Sequence, residues 1–128
     1  MHIETDFLIV GSGVAGLSFA LKAANLGQVL IITKQEPTES STQYAQGGIA
    51  SVFSKEDSYE LHIKDTLAAG AGLCKEEAVR VLVESGPACI RELIKLGTRF
   101  TLRDEENFDL HREGGHSKRR IVHAADLT

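Results

Sequence analysis

Three glycines, Gly11, Gly13 and Gly16, stand at G-x-G-x-x-G spacing between a short apolar run and a stretch of helical character, and no other feature narrows the fold as much. The run before them, Phe7 to Val10, is continuously apolar rather than alternating, as in a central parallel strand covered on both faces. After them Ala15, Leu17, Ala20, Leu21 and Ala24 recur at helical spacing as far as Leu26, and Gly27 is placed to end the helix. Val29 to Thr33, rich in β-branched residues, supplies a second strand. Strand, glycine turn, helix and strand in that order make a βαβ unit, so the chain opens as α/β. In such a unit Gly11 makes the tight turn, Gly13 lets a diphosphate approach the main chain, and Gly16 lets the helix lie close to the strand. The N–H groups of Ser12, Gly13, Val14 and Ala15 then face an anion with the positive end of the helix dipole behind them. A turn that uses glycine for steric reasons alone is the competing reading; the full βαβ context favours a dinucleotide.

Which dinucleotide is left open by the turn. An acid usually ends the second strand and accepts hydrogen bonds from the adenosine ribose. Here Thr33 and Lys34 stand there, with Glu36 two residues on. Lys34 suits the 2′-phosphate of NADP, and equally the adenosine or diphosphate of FAD.

Beyond the βαβ unit the loop "ESSTQYAQGGIASV" (39–52) pairs two glycines with amide, hydroxyl and small apolar groups. A helix is expected from an N-cap at Ser58 to Ala69, stopped by "GAG". "CKEEAVRVLVESG" and "PACIRELIKLG" then read as two further helices, with packing stripes Val79, Leu82, Val83 and Ile90, Leu93, Ile94; Pro87 opens the second and Gly97 follows it. From Arg99 the pattern breaks into strand-like "RFTL" and "FDL" around the polar turn "RDEEN". The closing "HREGGHSKRRIVHAADLT" is dense in titratable groups.

With 128 residues, 42% hydrophobic and 25% charged, the chain suffices for one modest domain. A net charge of −4 with acids and bases mixed gives no case for nucleic acid or an anionic membrane. Cys74 and Cys89 form no C-x-x-C pair and have no histidines at zinc-finger spacing, so no metal is expected. Acids precede the short apolar run at the N-terminus, which fits neither a signal peptide nor a membrane span; a reducing, cytoplasmic setting is expected.

Taken together, "IVGSGVAGLSFAL", "ITK", "ESSTQYAQGGIASVF", "DTLAAGAGLC" and "REGGHSKRRIVHAAD" closely resemble the N-terminal part of the L-aspartate oxidases, a branch of the succinate dehydrogenase and fumarate reductase flavoprotein family. The "AQGGIA" loop is shared with the wider family; "REGGHS" with "RRI-HA-D" points to the oxidase branch. The resemblance implies a Rossmann-like FAD-binding domain, N-terminal portion only, over 1–128, with added helices and short strands. It implies oxidation of L-aspartate to iminoaspartate, with hydride passing from Cα to flavin N5 and oxygen or fumarate as acceptor, the first step of a route to the nicotinamide ring. FAD contacts carry over to Gly11, Ser12, Gly13, Val14, Ala15 and Gly16, to Lys34, and to Ser41, Thr42, Gln43, Tyr44, Ala45, Gln46, Gly47 and Gly48. Tyr44 and Gln46 offer hydrogen bonds, and Gly47 and Gly48 can bring main chain against a flat isoalloxazine ring. Respiratory members carry in this loop a histidine bonded covalently to flavin; Ser41 stands at that place here, so non-covalent FAD is expected.

Glu113, in "HREGG", matches a glutamate thought to orient the amino-acid substrate in the oxidases. His116, Arg119 and Arg120 are cationic candidates for substrate carboxylates or flavin phosphates, His111 and His123 weaker ones. The resemblance also implies a longer enzyme whose proton-transfer arginine and other substrate ligands lie past Thr128. The chain alone is then expected to be inactive, to hold FAD weakly and to self-associate. A fumarate reductase-like flavoprotein and a non-enzymatic NADP-binding module are the alternatives, and the second leaves "AQGGIA" and "REGGHS" unexplained.

Overall fold

Phe7–Val10 forms strand β1 and Val29–Ile32 strand β2, paired in parallel with Phe7 opposite Val29 and Val10 opposite Ile32. Helix α1, Val14–Ala23, connects them, so the βαβ unit read from the sequence is present. The computed structural model describes residues 2–124, and the chain divides into two compact units between Ala45 and Gln46. Asp126, the last residue of the "RRI-HA-D" motif, lies outside the described residues.

In the first unit α1 packs on the β1 face that carries Phe7 and Ile9, with Phe7 and Phe19 edge-to-face at 6.2 Å. The expected covering of both faces is absent: Leu8 and Val10, which alternate to the other face, are 58% and 78% exposed. A continuous apolar run therefore marks a strand correctly and overstates its burial here, because only one helix packs on it among the described residues. On α1 it is Ala20 and Ala23 that are buried, whereas Leu17 and Leu21 are exposed. The helix ends three residues before Leu26, in a tightened turn where the Leu26 N–H donates to the Ala23 carbonyl at 2.8 Å.

The second unit is organised by helices α2, Tyr59–Ala69, and α3, Glu76–Lys95. Ser58 caps α2 as expected, its Oγ accepting the Leu61 N–H at 3.2 Å. The two helices expected between Cys74 and Gly97 are one, running through Pro87. Proline removes one main-chain donor and crowds the preceding turn. The packing outweighs that, since Val79, Val83, Pro87 and Ile90 form a single buried stripe. Leu82 and Ile94, assigned to stripes from the sequence, lie off it and are exposed. Val79 and Val83 build one core with Ile63, flanked by Leu67 and Cys74; Ile90 builds another with Phe100 and Val122, flanked by Ile49, Phe53 and Leu93. Gly97 ends α3 in a Schellman arrangement, with Thr98 N–H on the Leu93 carbonyl and Gly97 N–H on that of Ile94.

"RFTL" and "FDL" face each other through an antiparallel bridge between Leu102 and Phe108. Asp104 shapes the turn: its Oδ1 accepts from Asn107 Nδ2 at 2.7 Å and from the Asn107 and Glu106 N–H groups. The Asn107 side chain, then the Glu106 N–H, hold its carboxyl below the usual range. Strands β3 (Ile49–Ala50), β4 (Leu110–His111) and β5 (Ile121–Val122) form an antiparallel sheet with β5 in the middle. Among the described residues no helix is long and apolar enough to cross a membrane.

Candidate functional site

In the first unit the glycine turn is drawn tight against the strand end. The Gly11 N–H donates to the Ile32 carbonyl at 2.8 Å, and a Cβ on Gly16 would lie 2.5 Å from the Gly11 carbonyl oxygen. Only glycine allows that approach of helix to strand. Gly13 is the N-cap of α1 and provides no side-chain bond, and the first turn holds no acid. Ser12 is buried, Val14 and Ala15 exposed. One N–H of the first turn, that of Val14, donates to Thr42 Oγ1 at 3.1 Å. The structure thus brings together two stretches that the sequence assigned separately to one ligand, the glycine turn and the start of the 41–48 loop. A helix start with no acid in its first turn and no side-chain bond from its own N-cap residue, beside the Thr42 hydroxyl, suits a phosphate anion, so the residues present fit the diphosphate of a dinucleotide.

The neighbouring groups are less uniformly poised. Lys34 is exposed just past β2. Ser41, Gln43 and Ala45 are exposed on a turned segment in which Gln43 N–H reaches the Ser40 carbonyl and Ala45 N–H that of Thr42. Tyr44, expected to offer its hydroxyl to a ligand, donates it to Glu39 at 2.8 Å. That bond, more than desolvation, holds its pKa above the ordinary tyrosine value.

In the second unit the glycine pair and the "REGGHS" segment meet. Ile49 stands opposite Val122 and Ala50 opposite Ile121, while Ser51 N–H donates to the Arg120 carbonyl at 2.9 Å. Gly48, at φ +105°, lies so close to β5 that a Cβ would overlap the Val122 carbonyl oxygen and the Ile121 side chain. A Cβ on Gly47 would stand 2.5 Å from Glu113 Oε1. The Cβ directions of both glycines are therefore closed by this chain itself, a reason for glycine beyond the approach of a flat ring. Gln46 is exposed at the start of the same segment.

Arg120 differs most from expectation. Offered by the sequence as an anion ligand, it is fully buried, with Nε and Nη2 on the two oxygens of Asp57 at 2.8 Å each and Nη1 on Asp65 Oδ2 at 2.7 Å. His116 Nδ1 lies 3.3 Å from the same Nη1, so this histidine too is drawn into the network. Asp65 Oδ2 also accepts the Ser117 N–H and hydroxyl, both at 2.7 Å. Burial, the largest single influence on Asp65, pushes its carboxyl up; the Ser117 bonds and Arg120 together outweigh it and hold it below its usual value. The network pins the segment carrying Glu113 to α2. Arg119 lines an open cleft of about 600 Å³ with Arg103, Arg112 and Lys118, and His111 and His123 stack on each other. Sequence reasoning missed Asp57, Asp65 and His62, because polar and titratable residues before and within a helix look like solvated surface.

His62, buried on α2 with its ring 5.8 Å from that of His116, carries a testable consequence. Burial first, then the charges of Arg120 and His116, lower its pKa, with Asp57 and Asp65 opposing. The unfolded chain then takes up a proton more readily than the folded one. Stability from this group is full above about pH 6.5 and falls as pH drops through the lowered folded value. Asp65, also depressed, adds a loss below about pH 4. The melting temperature is expected to fall between about pH 7 and pH 5, less steeply in His62→Asn; an equal slope in that variant would contradict the assignment.

Comparison with known proteins agrees with this geometry. A family model described as an FAD binding domain matches residues 6–128. The chloroplastic L-aspartate oxidase 2-a of Nicotiana tabacum is 57% identical over 123 residues, covering 96% of this chain and 19% of that protein. The L-aspartate oxidase of Vibrio cholerae is 48% identical over 130 residues, 98% of this chain and 24% of its own length. A solved quinol fumarate reductase of E. coli superposes with a TM-score of 0.92 at 35% identity, over 98% of this chain and 22% of that one. The chain thus spans about a fifth to a quarter of the length of these relatives. A tight glycine βαβ turn, a double-glycine segment seated on β5 and a family match over nearly every residue have one common explanation: the chain belongs to the FAD binding domain family of the succinate dehydrogenase and fumarate reductase flavoproteins.

Proposed function

We propose that this chain forms part of the FAD site and one edge of the substrate site of an L-aspartate oxidase, which converts L-aspartate to iminoaspartate with oxygen or fumarate as electron acceptor, on the way to NAD. The observation that carries the reading is the seating of Glu113 against Gly47 in a chain 46–57% identical to proteins of that name. Bound FAD supplies the two-electron acceptor for the Cα hydride. The residues of the chain bind and orient. Gly11 to Gly16, with Thr42, would hold the diphosphate; Lys34 would meet the adenosine half; Ser41 to Gly48 would line the flavin. The family match favours FAD over NADP. The fumarate reductase likeness supports the shared fold and fits fumarate as acceptor, and the oxidase relatives favour an amino-acid substrate.

Glu113 supplies the group that succinate chemistry does not need, a carboxylate to meet the substrate ammonium. It is exposed on a turn closed by the His116 N–H on its own carbonyl. Glu113→Gln in the flavin-loaded enzyme is expected to raise KM for aspartate about tenfold or more, the worth of a charge-assisted bond, and to leave fumarate and succinate less affected. Equal effects on all three would remove the role. Because Ser41 replaces the covalent histidine, acid precipitation is expected to release all the flavin into the supernatant; yellow colour held in the pellet would refute non-covalent binding.

A cytoplasmic setting is part of this reading, while the tobacco protein is named chloroplastic. Self-association of residues 1–128 is supported by the exposure of Leu8, Val10, Phe19 and Leu26. Sedimentation that rises with concentration checks it, and a constant monomer mass opposes it.

A further inference from the structure

Asp109, His111 and His123 take no part in the proposed flavin and substrate contacts, yet the β4–β5 hairpin gathers them on one face. Asp109 and His111 are two residues apart along the strand, and such residues share a face. The pairing of Leu110 with Val122 and His111 with Ile121 sets His123 opposite Asp109. Asp109 Oδ2 lies 3.5 Å from Nε2 of His111 and 3.5 Å from Nε2 of His123, and all three ligand atoms fall within 4.8 Å of one another. The backbone holds this arrangement: Thr101 N–H donates to the His123 carbonyl at 2.7 Å, and Asp109 N–H to the Thr101 carbonyl at 3.1 Å. His123 is buried, whereas His111 is exposed and Asp109 opens onto the cleft beside Arg112.

We propose that Asp109, His111 and His123 form a binding site for a divalent transition-metal ion of the zinc type. Two imidazoles and one carboxylate suit Zn²⁺, Co²⁺ or Ni²⁺, while Mg²⁺ and Ca²⁺ prefer sets made of oxygen. A tetrahedral ion about 2.0–2.1 Å from each ligand sets the ligand atoms about 3.3 Å apart, leaving the fourth position to water. The two distances to Asp109 already come within a few tenths of an ångström of that. The imidazoles stack at 3.8 Å and 24°, so their lone pairs run side by side and one ring must turn to converge on an ion. The exposed His111 is free to do so and the buried His123 is the fixed ligand. Arg112, Lys118 and Arg119 on the nearby cleft oppose a cation and weaken the site. A bound ion would tie β4 to β5, the strand on which Gly48 rests. The inference stands independently of the oxidase reading.

The test is a chelator-competition titration of the purified protein with Zn²⁺ alone, beside the exposed-site variants His111→Ala and Asp109→Asn. One equivalent is expected, with affinity reduced about tenfold or more in each variant, no comparable Mg²⁺ binding, and a Zn²⁺-dependent rise in melting temperature confined to the wild type. No stoichiometric Zn²⁺ binding by the wild type, unchanged affinity in either variant, or equal binding of Mg²⁺ would overturn the proposal. Melting curves without metal establish that both variants are folded, so that a lost site is not mistaken for a lost fold.

Discussion

Arg120→Leu is expected to destabilise the second unit by about 3–5 kcal/mol, the cost of stranding a buried charge. The Arg120 and Asp57 side chains are both fully excluded from solvent, and they meet through two parallel 2.8 Å bonds. Leucine fills some of the volume but leaves Asp57 without its partner and Asp65 without one of its donors. Arg120→Lys is no conservative repair, because an ammonium cannot reproduce a fork that reaches Asp57 with two nitrogens and Asp65 with a third. The double variant Asp57→Leu with Arg120→Leu is expected to recover much of the loss, since apolar replacement of a whole buried pair is often near neutral. Urea unfolding of the wild type and these variants gives the comparison. A loss below about 1 kcal/mol for Arg120→Leu, typical of a surface pair, would mean that the network does not hold the "REGGHS" segment in place.

Gly48→Ala is the second large effect. The φ of +105° costs a residue with a Cβ about 1–3 kcal/mol, and overpacking against β5 about 1–3 more. The methyl would have to displace main chain, the Val122 carbonyl, rather than a flexible side chain. Loss of β3–β5 pairing and of bound FAD is expected together. Gly47→Ala is the informative neighbour, because its methyl would press on the mobile end of Glu113. There the fold is expected to lose less, through its own φ of +98°, while KM for aspartate rises as the carboxylate is pushed aside. Denaturation midpoints and flavin content separate the two variants, and identical profiles would contradict the distinction.

What could be read from the sequence was what is locally determined. Phe7–Val10, Val29–Ile32 and the Ser58-capped helix stand within a residue or two of their expected places, since a strand run, a glycine turn and an N-cap are fixed by neighbours in the chain. Strands β3 and β5 have two residues each and no periodicity; they exist only because residues 49–50 and 121–122 find each other across the chain. The same separation hid the Arg120 network, whose partners are 55 and 63 residues away. An arginine beside a candidate substrate residue then reads as a ligand rather than as the clamp beneath it. Pro87 misled in the opposite sense, for a local helix breaker was overruled by a buried stripe that runs past it on both sides. At the candidate site, Gly47, Gly48 and Glu113 were singled out by family likeness, but the closeness of Gly47 to Glu113 and of Gly48 to β5 is set between segments far apart in the chain.

Adding L-aspartate, without oxygen, to the FAD-loaded protein joined to its natural continuation, and following the visible flavin absorbance, decides whether this is an L-aspartate oxidase. The expected result is bleaching by L-aspartate, none by succinate at the same concentration, and recovery of colour when fumarate or oxygen is admitted. A spectrum unmoved by L-aspartate, or bleached by succinate instead, would contradict the assignment.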